Sequence, residues 1–186
     1  MQIRDRKKLF IIYFLSLFLC NLDLAAEEFN ITANEIFIDK ENKIIIGKGS
    51  VQAVDSEGKL IIADKITYEK SREYLLAEGN VKISDIEGNI LKTDKSTYDK
   101  INEIISTYGN TELILKEGYN LVSKNILYNI KEKILSSKEN SVFSDNDGNV
   151  VETSMFQYHV ENNLFSSIGK IKIIDIKKNK YFFKEL

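Results

Sequence analysis

From residue 29 onward, apolar and polar positions alternate along nearly the whole chain, in runs rich in β-branched and aromatic residues. A period of two predicts β-strands, and no segment beyond the first two dozen residues holds a helical period. The pattern also repeats. Tyr68, Tyr98, Tyr128 and Tyr158 stand 30 residues apart, and Gly58, Gly88, Gly118 and Gly148 keep the same step. A third series, Gly49, Gly79, Gly109 and Gly169, is broken only by Glu139. Columns held over more than a hundred residues mark an internal repeat, which builds a long surface rather than a single pocket.

Turn dipeptides fix the units. Glu57-Gly58, Glu87-Gly88, Glu117-Gly118 and Asp147-Gly148 suit tight hairpins that need a positive φ. Polar clusters such as Lys70-Ser71-Arg72 and Lys131-Glu132-Lys133 lie midway between them, so each repeat reads as one hairpin of two strands of about a dozen residues. Ile61, Leu91, Leu121 and Val151 share an apolar column, and Ala63, Thr93, Ser123 and Thr153 share a small one two residues on. Ile66, Ser96, Ile126 and Phe156 follow after an odd step, which strict alternation forbids. A bulge or sharp twist is therefore expected near Asp64, Asp94 and their equivalents. In the return strand Leu75, Ile105, Leu135 and Phe165 lead to Ile83, Leu113, Phe143 and Ile173, with the third glycine series between them. Glycine inside a strand marks a bend or a close approach. The tyrosine ladder reads as an interior rung of this scaffold.

The register runs past the four full units. Ile31, Ala33, Ile36 and Ile38 match the columns at one end, and Gly169, Ile171 and Ile173 continue them at the other. Tyr181-Phe182-Phe183-Lys184-Glu185-Leu186 then stops partway through a strand. Ile31, Ile36, Tyr181, Phe182 and Phe183 are thus candidates for pairing with another strand.

The N-terminus has a different pattern. Arg4, Arg6, Lys7 and Lys8 precede an uncharged run from Leu9 to Leu22, then Asp23-Leu24-Ala25-Ala26-Glu27. This reads as a signal peptide over residues 1–26, leaving one repeat domain over 27–186 whose C-terminus looks truncated. Cys20, the single cysteine, goes with it, so no disulfide or cysteine-metal site is expected. Of 26 basic and 28 acidic residues, four and two lie in that segment, leaving a net charge of about −4 that argues against nucleic acid.

Candidate chemistry is sparse. His159 is the single histidine, and its column mates Glu69, Asp99 and Asn129 mark a solvated position. Asp145-Asn146-Asp147-Gly148-Asn149 lacks the spacing of a calcium loop and reads as a turn. No nucleophile has a base beside it in the pattern, so no catalytic residue, metal or cofactor is assigned, and the chain does not read as an enzyme.

The phrases Ala33-Asn34-Glu35-Ile36, Ala63-Asp64-Lys65-Ile66-Thr67-Tyr68 and Ala77-Glu78-Gly79-Asn80-Val81-Lys82-Ile83 resemble the OstA-like repeats of bacterial lipopolysaccharide transport. The resemblance covers roughly residues 29–176 and is weakest near 124–158, where Lys124 and Ser154 replace the aspartate. It implies a periplasmic, twisted antiparallel β-jelly roll of hairpin repeats, open at both ends, that shields lipid A acyl chains of lipopolysaccharide. Its groove would be lined by Ile61, Ile66, Leu75, Ile83, Leu91, Ile105, Leu113, Leu121, Leu135, Phe143, Val151 and Phe156. Implied partners are other jelly-roll proteins of the bridge, joined by strand addition, and the outer-membrane β-barrel or its lipoprotein partner. Two members fit: the small soluble bridge protein and the N-terminal domain of the outer-membrane translocon, the stop at Leu186 favouring the second. A parallel β-solenoid is the structural rival. A small outer-membrane barrel is a second, opposed by charges such as Asp64, Lys65 and Lys95 within the strands.

Overall fold

The computed structural model describes residues 29–162 and 164–186; the expected signal peptide lies outside them. Fifteen strands follow in order: β1 (Phe29–Thr32), β2 (Glu35–Asp39), β3 (Ile44–Asp55), β4 (Leu60–Glu69), β5 (Tyr74–Ser84), β6 (Ile90–Asp99) and β7 (Ile104–Ile114). Then come β8 (Asn120–Lys124), β9 (Leu127–Asn129), β10 (Ile134–Ser137), β11 (Ser141–Ser144), β12 (Val150–Thr153), β13 (Phe156–His159), β14 (Leu164–Ile174) and β15 (Lys180–Glu185). The one helical piece among the described residues is the 3-10 turn Lys70–Arg72 between β4 and β5. The chain is all-β, and every pairing among these strands is antiparallel, which removes the parallel solenoid.

Each strand of the meander crosses a crease at its middle. The register slips between Lys48 and Val51, Ile62 and Lys65, Glu78 and Val81, Thr93 and Lys95, and Ile168 and Ile171, the bulges that the broken parity required. The crease divides the sheet into two half-sheets. β1, the second part of β3, the first part of β4, β8, β11 and β12 belong to one half; β2, β9, β10 and β13 belong to the other. The halves pack face to face: Phe29 of β1 meets Tyr68 of β4 edge-on at 5.2 Å between ring centroids, and Phe143 of β11 meets Phe156 of β13 at 4.7 Å.

Sequence decides how sharply each strand bends. At Gly79 φ is +77°, and a methyl there would collide with the Asp64 side chain, whose carboxylate accepts a hydrogen bond from Asn80 Nδ2 at 2.8 Å. Gly109 stands against Asp94 and Gly169 against Ser154 in the same way. Where Glu139 replaces glycine, the facing residue is Lys124, and the expected long strands break: β8/β9, β10/β11 and β12/β13 are each two pieces of one. Their pairings with unbroken β7 and β14 form a ring around a gap in the crease.

The hairpin ends are held by aspartates. Asp145 Oδ1 accepts from the Asp147 and Asn149 amides, while Asn149 Nδ2 donates to Oδ2; the suspected calcium-like segment is this turn. Asp99 does the same for Asn102 at the opposite end. Outward faces carry ion pairs: Lys65 and Lys95 flank Glu78, Lys92 meets Glu112, and Lys172 meets Glu152.

Two expectations follow. Gly79→Ala should lose about 2–4 kcal/mol in urea denaturation, combining the left-handed penalty with the Asp64 collision. Gly148→Ala, with open space around the added methyl, should lose about 1–2 kcal/mol. Adding Asp64→Ala to Gly79→Ala should recover part of the difference; strict additivity would show that the close approach is unimportant. Second, hydrogen bonds from the Asn102 side chain and amide hold the Asp99 carboxyl below its ordinary 3.8, and Asn149 does so for Asp145. A folded pKa below the unfolded one gives stability that is complete above that value and lost beneath it. Thermal midpoints should therefore be insensitive to these two groups above about pH 4 and fall below it, less so in Asp145→Asn.

Candidate functional site

Where strands bend, carbonyls leave the ladder and are buried, and a buried carbonyl needs another donor. Hydroxyls supply it from Thr93 onward. Thr93 Oγ1 lies 3.1 Å from Thr111 Oγ1, which donates to Thr107 Oγ1 at 2.8 Å; Thr107 Oγ1 accepts the Ile126 amide at 2.9 Å. Ser123 and Ser141 hydroxyls are 2.7 Å apart, and Ser137 Oγ donates to the Lys124 carbonyl at 2.7 Å. Thr153 and Ser167 hydroxyls touch, and both reach the Met155 carbonyl. In the first units this line is apolar: Val51, Ala63, Ile66, Ala77 and Val81 fill it, all buried. The small column seen in the sequence is therefore the inside of the crease, and its hydroxyls are structural.

Two residues farther along each half-strand stands the large interior column. Along it burial falls from the first units to the later ones. Tyr68 is buried, while Tyr98, Tyr128 and Tyr158 are half-buried. Burial pushes the phenol of each of these three above its ordinary value, as expected for rings that line an apolar wall. Phe143, Phe156 and Phe165 form an aromatic group at the far end, with Phe143–Phe165 centroids 4.8 Å apart.

The twelve predicted groove residues separate accordingly. Ile61, Ile66, Leu75, Leu121 and Phe156 are buried in the core. Ile83, Leu91, Ile105, Leu113, Leu135, Phe143 and Val151 are half-buried and face the space between the half-sheets. Ile61, Leu75, Ile83 and Ile105 surround, together with Tyr98 and Lys59, an apolar cavity of about 10 Å³, room for roughly one water. The interior is thus a wedge, sealed at the crease and opening toward its rim. The split between sealed and open positions runs within single columns, Ile61 and Leu121 being buried where Leu91 and Val151 are half-buried, so the column pattern alone did not reveal it.

Of the edge candidates, Ile36, Tyr181, Phe182 and Phe183 are exposed on strands that have a partner on one side only among the described residues. Ile31 departs from them and packs against the first core cluster. Phe37 and Ile38, not singled out before, are also exposed on β2. His159 is half-buried at the end of β13. Among the described residues no group of three His, Cys, Asp or Glu side chains is placed to hold a metal.

Neither a protein-family model nor a curated protein matches the chain. Among solved structures it is similar to LptH of Pseudomonas aeruginosa, described as the LptA-homologous periplasmic component of the conserved lipopolysaccharide transport device. The two share 11% identity over 75% of this chain and 81% of that one, at a TM-score of 0.37. It is also similar to the TCP10 domain of CPAP from Danio rerio, solved with a peptide of Danio rerio STIL, with 11% identity, 84% and 99% coverage and a TM-score of 0.16. Likenesses this loose carry neither fold detail nor function across.

Proposed function

We propose that the chain is a non-enzymatic, periplasmic lipopolysaccharide-transport module, a β-jelly roll that shields lipid A acyl chains between its half-sheets and joins partner jelly rolls by its edge strands. The observation that carries this reading is the half-buried line from Ile83 and Tyr98 through Leu113 and Leu135 to Phe143 and Phe165. It is long, apolar and backed by a sealed crease. An acyl chain gains about 0.8 kcal/mol for each methylene taken from water, so it needs a line of contacts rather than one point. The motif resemblance of residues 33–36, 63–68 and 77–83 supports the same pathway. Strand addition suits β2 and β15, whose exposed backbone edges carry large apolar side chains. It serves a stand-alone bridge protein and a translocon domain alike.

Photo-crosslinking residues placed at Ile83, Leu113 and Phe143 should capture radiolabelled lipopolysaccharide in cells, while the outward neighbours Lys82 and Glu112 should not. Labelling of protein alone from the three interior sites would sink the acyl-chain reading. At the edges, Ile38→Lys with Phe182→Lys should leave the melting midpoint within a few degrees of the parent, as exposed substitutions do. The same pair should lower recovery of jelly-roll partners in affinity purification; undiminished recovery would remove the strand-addition part.

A further inference from the structure

Phe29 breaks its column. The positions 30 residues apart from it are Lys59, Asn89, Tyr119, Asn149 and Asn179, each with a polar group. Phe29 is instead buried, at 6% exposure, although it begins the first described strand. Its ring lies edge-on to Tyr68 and also to Tyr98, with centroids 6.4 Å apart in the second case. Tyr119, three units along the same column, stays 56% exposed. Lys59 completes the seal: its ammonium sits 5.4 Å from the centre of the Tyr98 ring and 3.4 Å from Asp55 Oδ2. Asp55 is the register partner of Phe29.

The strand that carries this ring is weakly held. β1 pairs with β3 over four residues, Phe29 to Thr32, and with no other strand among the described residues. Immediately beneath the seal lies the apolar cavity between Ile61, Leu75, Ile83, Tyr98 and Ile105. An aromatic side chain thus occupies the rim at one end of the wedge, where the rest of the repeat leaves the rim polar and open.

We propose that Phe29 is an occupant the chain supplies to its own cleft, and that β1 is a strap displaced when a saturated acyl chain takes the ring's place against Tyr68 and Tyr98. This rests on the acyl-chain reading above. A closed state that must open first lowers the apparent affinity by the fraction of molecules already open. Emptying the site should therefore tighten binding, whereas loss of a purely structural core residue should weaken it.

The test is titration of dansyl-labelled undecanoic acid into the full chain and into Phe29→Asn, asparagine being the residue this column carries at positions 89, 149 and 179. The strap predicts that the variant melts lower without probe yet binds about 10- to 100-fold tighter. A folded variant that binds equally or more weakly overturns the strap while leaving the acyl-chain reading intact; binding by neither protein overturns both. Hydrogen exchange on the unaltered chain decides the matter even if the variant fails to fold. Saturating probe should accelerate exchange at the amides of Asn30 to Thr32 relative to those of β4, and slowed exchange there would overturn the strap.

Discussion

A sheet can fold back on itself only if its hydrogen-bond ladder is interrupted, and the whole molecule follows from how that interruption is stabilised. Every strand crossing the crease gives up ladder bonds at buried positions, where an unpaired carbonyl costs about 1–3 kcal/mol. The early units meet this with a bulge, glycine at positive φ and a short polar side chain opposite, as Gly79 and Asp64 show. The later units lean on hydroxyls, with Thr107, Ser137 and Ser167 returning donors to carbonyls or acceptors to amides. The crease residues, small or large, are buried, whereas the large columns beyond them stay half-exposed in the later units.

Much of this was legible in the chain. The odd step between Ala63 and Ile66 located the bulge, since a strand with one buried face cannot change parity without one. The tyrosine ladder runs along the interior, with Tyr68 buried and Tyr98, Tyr128 and Tyr158 half-buried. Less could be seen where one column served two purposes. Thr93, Ser123 and Thr153 looked merely small, and nothing in their spacing announced that their hydroxyls would meet Thr111, Ser141 and Ser167 across the crease. The expectation of long strands throughout overran the unit from 120 to 159, where they divide. There the signal was present but unweighted: Glu139 and Lys124 replace, in the same unit, the glycine and aspartate that face each other elsewhere.

The interior also changes character along the stack. In the first units Val51, Ala53, Ile61, Ala63, Ile66, Tyr68, Leu75, Ala77 and Val81 form one sealed cluster. Beyond Thr93 the fully buried positions are mostly hydroxyls, and the large apolar residues Leu113, Leu135, Phe143 and Phe165 remain half in contact with solvent. Apolar area left uncovered is free energy not yet gained, at about 25 cal/mol for each Å². The first part of the stack has gained it in folding, and the second has gained less of it.

The same reasoning explains why an end of such a stack is its most consequential place. Inner rungs cover one another; a rung with no described strand beyond it leaves its interior column exposed unless the chain fills the space itself. β2 leaves Ile36 and Ile38 bare, whereas β1, its continuation across the crease, turns Phe29 inward. The two halves of one end have thus met the same constraint in opposite ways. One keeps an apolar edge with free backbone groups, which favours another strand. The other closes the wedge with its own side chain, which sets a threshold that any apolar occupant has to overcome. On the acyl-chain and strand-addition readings proposed above, a bare edge and a filled rim on one rung would separate strand pairing from ligand entry.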